Sequence, residues 1–273
     1  MWRDVKDEKM SSGQLSLRHA LASKGEIVGT FLNLGSPLVT EVVAASGFDW
    51  VLVDLEHGAG DEAMLIGHFH AANLHGVSAI VRVEAGDRMR CARALDFGAQ
   101  GIMLPRIRTA EEVREALSLM RYPPAGTRGV SLMARANRFG APSSTPLDAV
   151  NDAILCFAQI ETLEAVACVE EIAEVDGVDV LFLGPTDLSH AMGRPGRTDD
   201  ELFENAAQRI ASAARNSGKA AGVLVRHVDQ VKKYRTMGFQ VFAVGSDSAM
   251  LAEAASRTAA WFHVEPAALL GAG

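Results

Sequence analysis

Short apolar runs alternate with helical patterns along nearly the whole chain. The runs that we predict as strands are Ile27–Asn33, Trp50–Leu55, Ala79–Val83, Gly101–Leu104, Ile154–Ile160, Val178–Leu183, Ala221–Val225 and Val241–Val244. They lack the polar alternation of half-exposed strands, and this is typical of strands that are covered on both faces.

Longer segments with helical character separate or follow these runs. They are Pro37–Ser46, Asp61–His75, Asp87–Phe97, Thr109–Met120, Leu163–Glu174, Asp200–Asn216, Val228–Met237 and Ser248–Phe262. Ordinary start and stop signals support these predictions: Pro37 suits a first helical turn, and Gly47 suits the residue after a helix end.

The order of the predicted elements indicates a fold class. Alternating strands and helices imply a parallel sheet. Eight such units in 273 residues favour an α/β fold of the (β/α)8 TIM barrel type in a single domain. A doubly wound open sheet is the alternative, because periodicity does not show whether a sheet closes. We expect an N-terminal extension at residues 1–24, the barrel at residues 25–262 and a C-terminal tail at residues 263–273.

One segment, from Tyr122 to Thr145, interrupts the rhythm. It contains Pro123-Pro124 and several glycines, and it shows neither a strand nor a helix pattern. A stretch of this length without regular structure in a compact domain is usually functional. We therefore expect this segment to take part in the function of the protein.

Composition and charge exclude several classes of protein. The chain is 48% hydrophobic and 22% charged, which is ordinary for a globular protein, and its net charge of -8 argues against a nucleic-acid partner. No apolar run approaches the roughly 20 residues that span a membrane. The charged N-terminus does not resemble a secretory signal. Three cysteines without a pairing pattern, Cys91, Cys156 and Cys168, favour a reducing compartment, so we expect a cytoplasmic protein.

Ionisable or hydrogen-bonding side chains follow almost every predicted strand. In chain order they belong to Asp54-Leu55-Glu56-His57-Gly58, Arg82 with Glu84, Pro105-Arg106, Gln159-Ile160-Glu161, Gly184-Pro185-Thr186-Asp187-Leu188-Ser189, Arg226-His227 and Gly245-Ser246-Asp247. Active sites of barrels of this type lie at the C-terminal ends of the strands. Because buried charges are costly unless they are paired or bound to a metal, their accumulation at one rim predicts an enzyme.

Four of these residues have chemical roles that we can weigh against structural ones. Glu161 and Asp187 follow neighbouring strands and can converge on a hard cation such as Mg²⁺ or Mn²⁺, although each can instead pair with an arginine. His57 is the strongest acid–base candidate, and a purely structural hydrogen bond is its alternative. Arg82 can stabilise an enolate or alkoxide oxygen, or it can form a salt bridge with the neighbours of Glu84 or with Asp54.

Several motifs are similar, in order, to those of the class II pyruvate aldolases of the HpcH/HpaI family. They are Asp54-Leu55-Glu56-His57-Gly58, Val81-Arg82-Val83, Arg121-Tyr122-Pro123-Pro124-Ala125-Gly126-Thr127-Arg128-Gly129-Val130, Gln159-Ile160-Glu161-Thr162, Gly184-Pro185-Thr186-Asp187-Leu188-Ser189 and Val244-Gly245-Ser246-Asp247. The similarity runs from Gly29 to Ala259. It is specific because several motifs agree in both order and spacing.

The resemblance implies a reaction, a cofactor and an assembly. A 4-hydroxy-2-oxo acid is cleaved reversibly to pyruvate, or a close 2-oxo acid, and an aldehyde. A divalent metal ion (Mg, Mn or Co) grips the 2-oxo acid, and Glu161 and Asp187 match its ligands. The subunits form a homo-oligomer, a hexamer built as a trimer of dimers, with exchanged C-terminal helices. The apolar tail from Trp261 to Leu270 is compatible with that exchange or with packing under its own barrel.

The resemblance also assigns catalytic residues. Arg82 matches the arginine that stabilises the enolate, and His57 matches the base that takes the proton of the C4 hydroxyl. Asp96 matches an acid that raises the basicity of this histidine. Because Asp96 ends a helix, we expect it at the opposite end of its own barrel, from which it reaches His57 only in a neighbouring subunit. Asp54 is the nearer candidate, and both assignments stay open.

Substrate contacts follow from the same motifs. They are Gln159, Gly184, Pro185, Thr186, Asp187 and Leu224. We expect the aldehyde part of the substrate to meet the segment from Tyr122 to Thr145, with Arg128 or Arg135 as its contact. Leu55 and Thr186 replace smaller residues close to the expected chemistry, and we expect both to alter the pocket. Glu84 follows Arg82 at a position where an acid is unexpected, and it is a candidate to tune that arginine.

Two other functions remain as alternatives. One is a different carbon–carbon lyase among the barrels that handle phosphoenolpyruvate or pyruvate. It predicts phosphate or thioester recognition, for which the sequence shows no clear basic cluster. The other is a non-catalytic scaffold that binds a metabolite. The intact set of Asp54, His57, Arg82, Glu161 and Asp187 argues against a scaffold.

Overall fold

A closed barrel of eight parallel strands, ordered β1 to β8 around the circle, organises the chain. The computed structural model describes residues 17–84, 86, 88–141 and 145–264. The strands are β1 (Ile27–Leu32), β2 (Trp50–Asp54), β3 (Ser78–Arg82), β4 (Gly101–Leu104), β5 (Leu155–Ile160), β6 (Val180–Leu183), β7 (Ala220–Val225) and β8 (Val241–Ser246). Most of the predicted N-terminal extension, Asp87 and most of the C-terminal tail lie outside the described residues.

Pairing between the first and last strands closes the sheet. Ile27 lies opposite Val241, and Val28 lies opposite Phe242, both in parallel register. The predicted (β/α)8 barrel is therefore confirmed, and the open doubly wound sheet is excluded. No strand edge remains free for pairing with another chain in a sheet of this kind.

Helices follow or precede each strand and form the outer shell. They are α1 (Leu17–Lys24), α2 (Pro37–Ala44), α3 (Leu65–Leu74), α4 (Arg88–Asp96), α5 (Ala110–Met120), α6 (Leu147–Ala153), α7 (Leu163–Ala167), α8 (Val169–Ala173), α9 (Pro185–Ala191), α10 (Glu201–Asn216), α11 (Val231–Met237) and α12 (Asp247–Val264). The single helix predicted after β5 is divided at Cys168. The helices α1, α6 and α9 lie outside the predicted helical segments.

Each strand is buried on both faces because it separates two apolar layers. The inner layer fills the barrel and contains Ile27, Phe31, Trp50, Leu52, Ile80, Met103, Leu155, Phe157, Val180, Phe182, Ala220, Val241 and Ala243. The outer layer packs the other face of each strand against the helices, as Val51 and Val53 do on β2. This double burial explains why the strands lack polar alternation.

The helix α1 closes the end of the barrel at which the strands begin. Its residues Leu17 and Leu21 are buried and pack into the inner layer. Arg18 on the same helix forms an ion pair with Asp179, with 2.7 Å between Nη1 and Oδ1. The interior of the barrel is thus filled by apolar side chains at this end, and the polar rim lies at the opposite end, which we call the mouth.

The segment that follows α5 is anchored at the closed end of the barrel rather than at the mouth. Arg128 is buried, forms an ion pair with Asp96 at 2.5 Å, and lies over the ring of Tyr122 at 4.3 Å from the ring centre. Arg135 donates a hydrogen bond to the carbonyl of Phe97 across 2.9 Å. The expectation that Arg128 or Arg135 meets the aldehyde is therefore wrong within one chain, because a segment that follows a helix starts at the closed end.

Most of the helix α12 leaves the barrel surface. Residues 249–261 are exposed on every face of this helix, and Leu251 and Trp261 are 60% and 56% exposed. Only its start is held, since Asp247 is buried and accepts hydrogen bonds from the backbone of Asn33 and Leu34. None of the described helices has the length and apolar character that crossing a membrane requires.

Candidate active site

Polar side chains replace apolar ones where the inner faces of the strands reach the mouth. Alternate residues of a strand point to the same side. On β2 the inward positions are Trp50, Leu52 and then Asp54, and on β5 Phe157 is followed by Gln159. The inward-facing positions of these strands therefore change from apolar in the interior to polar at the rim.

Asp54 and Arg82 form a buried, two-point ion pair at this rim. Nε of Arg82 lies 2.9 Å from Oδ1 of Asp54, and Nη2 lies 2.7 Å from Oδ2. The two residues are direct partners in the parallel register of β2 and β3. A two-point contact fixes the plane of the guanidinium as well as its position.

The carboxylate of Asp54 also binds three groups beyond Arg82. Oδ1 accepts hydrogen bonds from the backbone N–H of Glu56 at 3.1 Å and of His57 at 3.3 Å. Oδ2 accepts one from the side-chain amide of Asn33 at 2.7 Å. A carboxylate has about four lone-pair sites, so Asp54 is saturated by these contacts. It holds the backbone of His57 and does not contact the imidazole.

Negative charge surrounds the Arg82 guanidinium. Nη1 lies 3.1 Å from Oε2 of Glu56, and the guanidinium also lies over the ring of Phe31 at 5.2 Å. Burial opposes the charge of Arg82, but the hydrogen bond and charge of Asp54, with Glu56, outweigh burial and raise the pKa of Arg82. Glu84 instead pairs with Arg90, with 2.8 Å between Oε1 and Nε, so its predicted tuning of Arg82 is not what the contacts show.

The imidazole of His57 is open to solvent on a fixed backbone. Its side chain is 63% exposed, and its nearest ionic neighbour is Glu56, with 3.8 Å between Nε2 and Oε2. Burial raises the pKa of Glu56, and the charges of Arg82 and His57 oppose that effect. Asp96 is held by Arg128 at the other end of the barrel. Within the described chain, neither predicted acid contacts the imidazole.

Glu161 is a buried carboxylate that forms no ion pair with a cationic side chain of the described residues. Its Oε1 accepts a hydrogen bond from the backbone N–H of Arg106 at 2.8 Å, and its Oε2 accepts one from Nε2 of Gln159 at 2.5 Å. Burial raises the pKa of Glu161 to about 7, and the charges of Asp187 and Glu56 act in the same direction. The structural alternative, in which an arginine or lysine of the described chain pairs with Glu161, is not observed.

Two details next to Glu161 indicate space for a ligand. Oε1 of Gln159 is buried and accepts no hydrogen bond from the described residues. A Cβ atom on Gly184 would lie 2.6 Å from Oε2 of Glu161 and 3.0 Å from Nε2 of Gln159. Buried polar atoms in native proteins are normally hydrogen-bonded, so an unsatisfied oxygen beside a side-chain-free position is typical of a ligand site.

Asp187 lies in the first turn of α9, directly after Gly184 and Pro185. Both Thr186 and Asp187 are exposed, whereas Gly184 is buried and its N–H donates to the carbonyl of Ile160 at 3.1 Å. The described residues contain no cluster of three or more His, Cys, Asp or Glu side chains that could hold a metal ion. A cation here would therefore rely on Glu161, Asp187 and oxygen atoms of water or substrate.

Leu224 and Leu55 differ in the layer to which they belong. Leu224 on β7 is partly buried and packs against the inner layer, as expected for a residue that lines the mouth. Leu55 packs against the outer layer. The prediction that Leu55 alters the pocket is therefore wrong, because the strand period turns it away from the mouth.

Asn33 and the backbone N–H of Arg106 were not predicted as site groups. Asn33 follows β1 directly, at the rim that carries the other polar residues, so its position in the sequence was a usable signal. Arg106 contributes through its backbone, which adopts a left-handed conformation with φ of 54°. Side-chain patterns in a sequence do not show such a conformation.

Comparisons with known proteins agree with this geometry. The 4-hydroxy-2-oxo-heptane-1,7-dioate aldolase of Escherichia coli is 36% identical over 255 residues, covering 93% of this chain and 97% of the relative. The hydroxypyruvate/pyruvate aldolase of Cupriavidus necator is 36% identical over 248 residues, covering 90% and 92%. The crystal structure of the HpcH/HpaI aldolase from Desulfitobacterium hafniense DCB-2 has a TM-score of 0.83 at 30% identity, covering 93% and 98%.

The family itself matches over most of the barrel. Residues 28–254 match the HpcH/HpaI aldolase/citrate lyase family, a range that includes β2 to β8, all of β1 except Ile27, and the rim residues described above. The chain therefore belongs to the HpcH/HpaI aldolase/citrate lyase family.

Proposed function

We propose that this protein is an aldolase that reversibly cleaves a 4-hydroxy-2-oxo acid to pyruvate, or a close 2-oxo acid, and an aldehyde. The observation that carries the proposal is the buried Glu161 carboxylate, which has no cationic partner in the part of the chain that the structure describes and lies at the same rim as the fixed Arg82 guanidinium. Two relatives at 36% identity are named as aldolases, which supports the reaction class.

Glu161 and Asp187 would hold a divalent metal ion, which we propose to be Mg²⁺, Mn²⁺ or Co²⁺. Carboxylate oxygens suit hard cations of this kind. Burial without a cationic partner and the raised pKa of Glu161 fit a carboxylate whose charge is neutralised by a bound cation. When bound, such an ion polarises the C2 carbonyl of a 2-oxo acid and stabilises the negative charge that develops on its oxygen.

Arg82 would add a fixed positive charge at the same oxygen. Its contacts with Asp54 and Glu56 use one N–H on each of Nε, Nη2 and Nη1. A guanidinium has five N–H groups, so one on Nη1 and one on Nη2 remain for substrate. Because Asp54 already fixes the guanidinium, no reorganisation is needed when the enolate forms, and this preorganisation is the main source of such stabilisation.

His57 would remove the proton of the C4 hydroxyl. Its backbone is held by Asp54, and its exposed ring can reach a substrate or a water molecule. We retain Asp54 as a positioning residue that acts through Arg82 and the His57 backbone. For the acid that supports the imidazole we propose Asp96, supplied by a neighbouring subunit. Its carboxylate is 29% exposed and meets Arg128 through only one oxygen.

The 2-oxo acid would be oriented by the residues around Gly184. The Gln159 amide oxygen is available, and the first-turn N–H groups of Thr186 and Asp187 have no partners within a helix. Gly184 and Pro185 bring the chain close to Glu161 without a side chain in between. Leu224, on the neighbouring strand β7, supplies an apolar wall.

We propose a hexamer, a trimer of dimers, in which α12 is exchanged between subunits. The exposed apolar residues of α12 support this assembly, because a helix that is apolar on exposed faces usually buries them against a partner. Native mass spectrometry should show six copies of the 29.0 kDa chain. Leu251→Asp with Trp261→Asp should reduce the assembly, and a monomeric wild type would contradict it. The three free cysteines support our proposal of a cytoplasmic location.

A coupled pyruvate-release assay tests the reaction. Metal-stripped protein is offered a panel of 4-hydroxy-2-oxo acids with and without Mn²⁺, alongside Glu161→Gln. Pyruvate should appear only with Mn²⁺, and the variant should release at least about 100-fold less. If Mn²⁺ and pyruvate bind but nothing is cleaved, the aldolase proposal fails. The site then belongs to another 2-oxo-acid lyase or to a metabolite-binding scaffold.

A further inference from the structure

Asn33 links three elements of the mouth although it belongs to none of the predicted motifs. Its side-chain amide donates to Oδ2 of Asp54 across 2.7 Å. Its backbone N–H donates to Oδ1 of Asp247 across 2.7 Å, and its carbonyl accepts from the N–H of Ala59 at 2.8 Å. One residue at the end of β1 therefore contacts the end of β2, the loop after it and the start of α12.

The backbone of Asn33 is fixed independently of its side chain. Asp247 is buried and accepts from the N–H groups of both Asn33 and Leu34, the second at 3.1 Å. The amide of Asn33 is therefore presented to Asp54 from a rigid base. A donor held in this way restricts the carboxylate that it binds.

The contact matters because Asp54 holds Arg82 through the same oxygen. Oδ2 of Asp54 accepts from Asn33 and from Nη2 of Arg82, both at 2.7 Å. Loss of the amide would leave this oxygen with one directional donor instead of two. Oδ1 stays held by the backbone N–H groups of Glu56 and His57, so Oδ2 would shift about it and carry Nη2 of Arg82 with it. A displacement of about 1 Å in a catalytic group is enough to slow a reaction substantially.

We infer that Asn33 is a positioning residue that fixes the Arg82 guanidinium through Asp54. The inference rests on the role proposed for Arg82 and goes beyond it, since it extends the machinery to a residue on β1 that touches neither substrate nor cation. The alternative to this positioning role is that Asn33 only stabilises the fold.

Enolisation of pyruvate separates these two roles. Exchange of the C3 protons of pyruvate with deuterium, followed by NMR with Mg²⁺ present, reports the step that Arg82 assists. Asn33→Ala should reduce the exchange rate about tenfold at saturating pyruvate, with little change in the pyruvate concentration that gives half the maximal rate. In an Arg82→Lys background the same substitution should cost twofold or less, because the fixed geometry that Asn33 protects is already lost.

A matched control is Asn151→Ala. Asn151 is a buried asparagine at the closed end of the barrel, and its side chain makes two hydrogen bonds to the backbone of Tyr122, at 2.7 and 3.0 Å. Asn151→Ala should lower the stability of the fold. Its effect on the exchange rate should be the same in the wild-type and Arg82→Lys backgrounds. An equal loss for Asn33→Ala in both backgrounds, or no loss in the wild type, would overturn the inference.

A second measurement does not depend on activity. Phenylglyoxal modifies accessible arginines, and its rate at Arg82 can be followed by peptide mass spectrometry, with Arg128, which is also buried, as an internal reference. Asn33→Ala should accelerate the modification of Arg82 at least fivefold and leave Arg128 unchanged. An unchanged modification rate at Arg82 would contradict the inference, whether or not the wild-type protein exchanges the protons of pyruvate. Absence of proton exchange in the wild-type protein would instead refute the proposed function.

Discussion

Gln159 donates a hydrogen bond to Glu161 across 2.5 Å, while the oxygen of the same amide is buried and accepts nothing from the described chain. A half-turn of this amide would present the oxygen to Glu161 instead of the NH₂ group. The pair can therefore accommodate either a carboxylate or an amide at position 161. A substitution that removes the charge of Glu161 is thus expected to leave the local packing intact.

Glu161→Gln should stabilise the metal-free protein at alkaline pH. Burial raises the pKa of Glu161 from an ordinary 4.5 to about 7, so the folded state binds this proton more tightly than the unfolded state. Stability of the wild type therefore falls as pH rises through that window, and the cost is complete above pH 7. Differential scanning calorimetry should give the variant a Tm a few degrees higher at pH 8. The difference should vanish near pH 4, and a lower Tm at pH 8 would contradict the account.

Asp54→Asn should damage both stability and catalysis, because it leaves the Arg82 guanidinium buried with Glu56 as its remaining acid. We expect a loss of about 3 kcal/mol in the free energy of unfolding. The turnover rate should fall about 100-fold. Glu170→Gln is the matched control, since Glu170 forms a two-point pair with Arg209 at an exposed site, where such pairs contribute little. Urea unfolding that showed equal losses for both variants would contradict this prediction.

Gly184→Ala should abolish metal-dependent activity while the barrel still folds. The new Cβ would lie 2.6 Å from Oε2 of Glu161, so the carboxylate must move out of position. Gly222→Ala places a comparable clash, 2.5 Å from the ring of Phe182, inside the apolar barrel. This control should lower the Tm without preventing Mn²⁺ binding measured by titration calorimetry. If Gly184→Ala bound Mn²⁺ with wild-type affinity, the proposal that Glu161 holds the metal beside Gly184 would be wrong.

Asp96 and His57 should complement each other between subunits. Asp96→Asn and His57→Ala should each be nearly inactive alone. When the two variants are mixed, unfolded and reassembled in equal amounts, about a quarter of the sites should combine an intact His57 with an intact Asp96 from a neighbour. Pyruvate release should recover accordingly. Absence of recovery in correctly assembled oligomers would exclude the neighbouring subunit as the source of the acid.

Local signals in the sequence carried much of this picture. The strand runs near Trp50 and Leu155 were recognisable because double burial demands continuous apolar residues. The rim residues Asp54, Arg82 and Glu161 were recognisable because charges directly after such runs are unusual. Both inferences depend on short stretches of chain. The functional roles of the rim residues came from the resemblance of the motifs to a known family.

Some predictions were wrong because they depend on the direction of the chain and on the register of a strand. Arg128 and Arg135 were expected at the mouth, but they belong to a segment that follows a helix and therefore starts at the closed end. Leu55 was expected in the pocket, but it lies one residue past Asp54 and the strand period turns it outward. Register and chain direction decide both cases.

The sequence by itself determined the repeat of strands and helices, the polar rim and the family resemblance, because each is written in neighbouring residues. Only the tertiary structure decided that Asp54 binds Arg82 and Asn33, that Glu161 has no cationic partner among the described residues, and that Asp96 is held away from His57. Those facts join residues that lie 20 or more positions apart. They arise when the barrel closes and brings the ends of separate strands within hydrogen-bond distance.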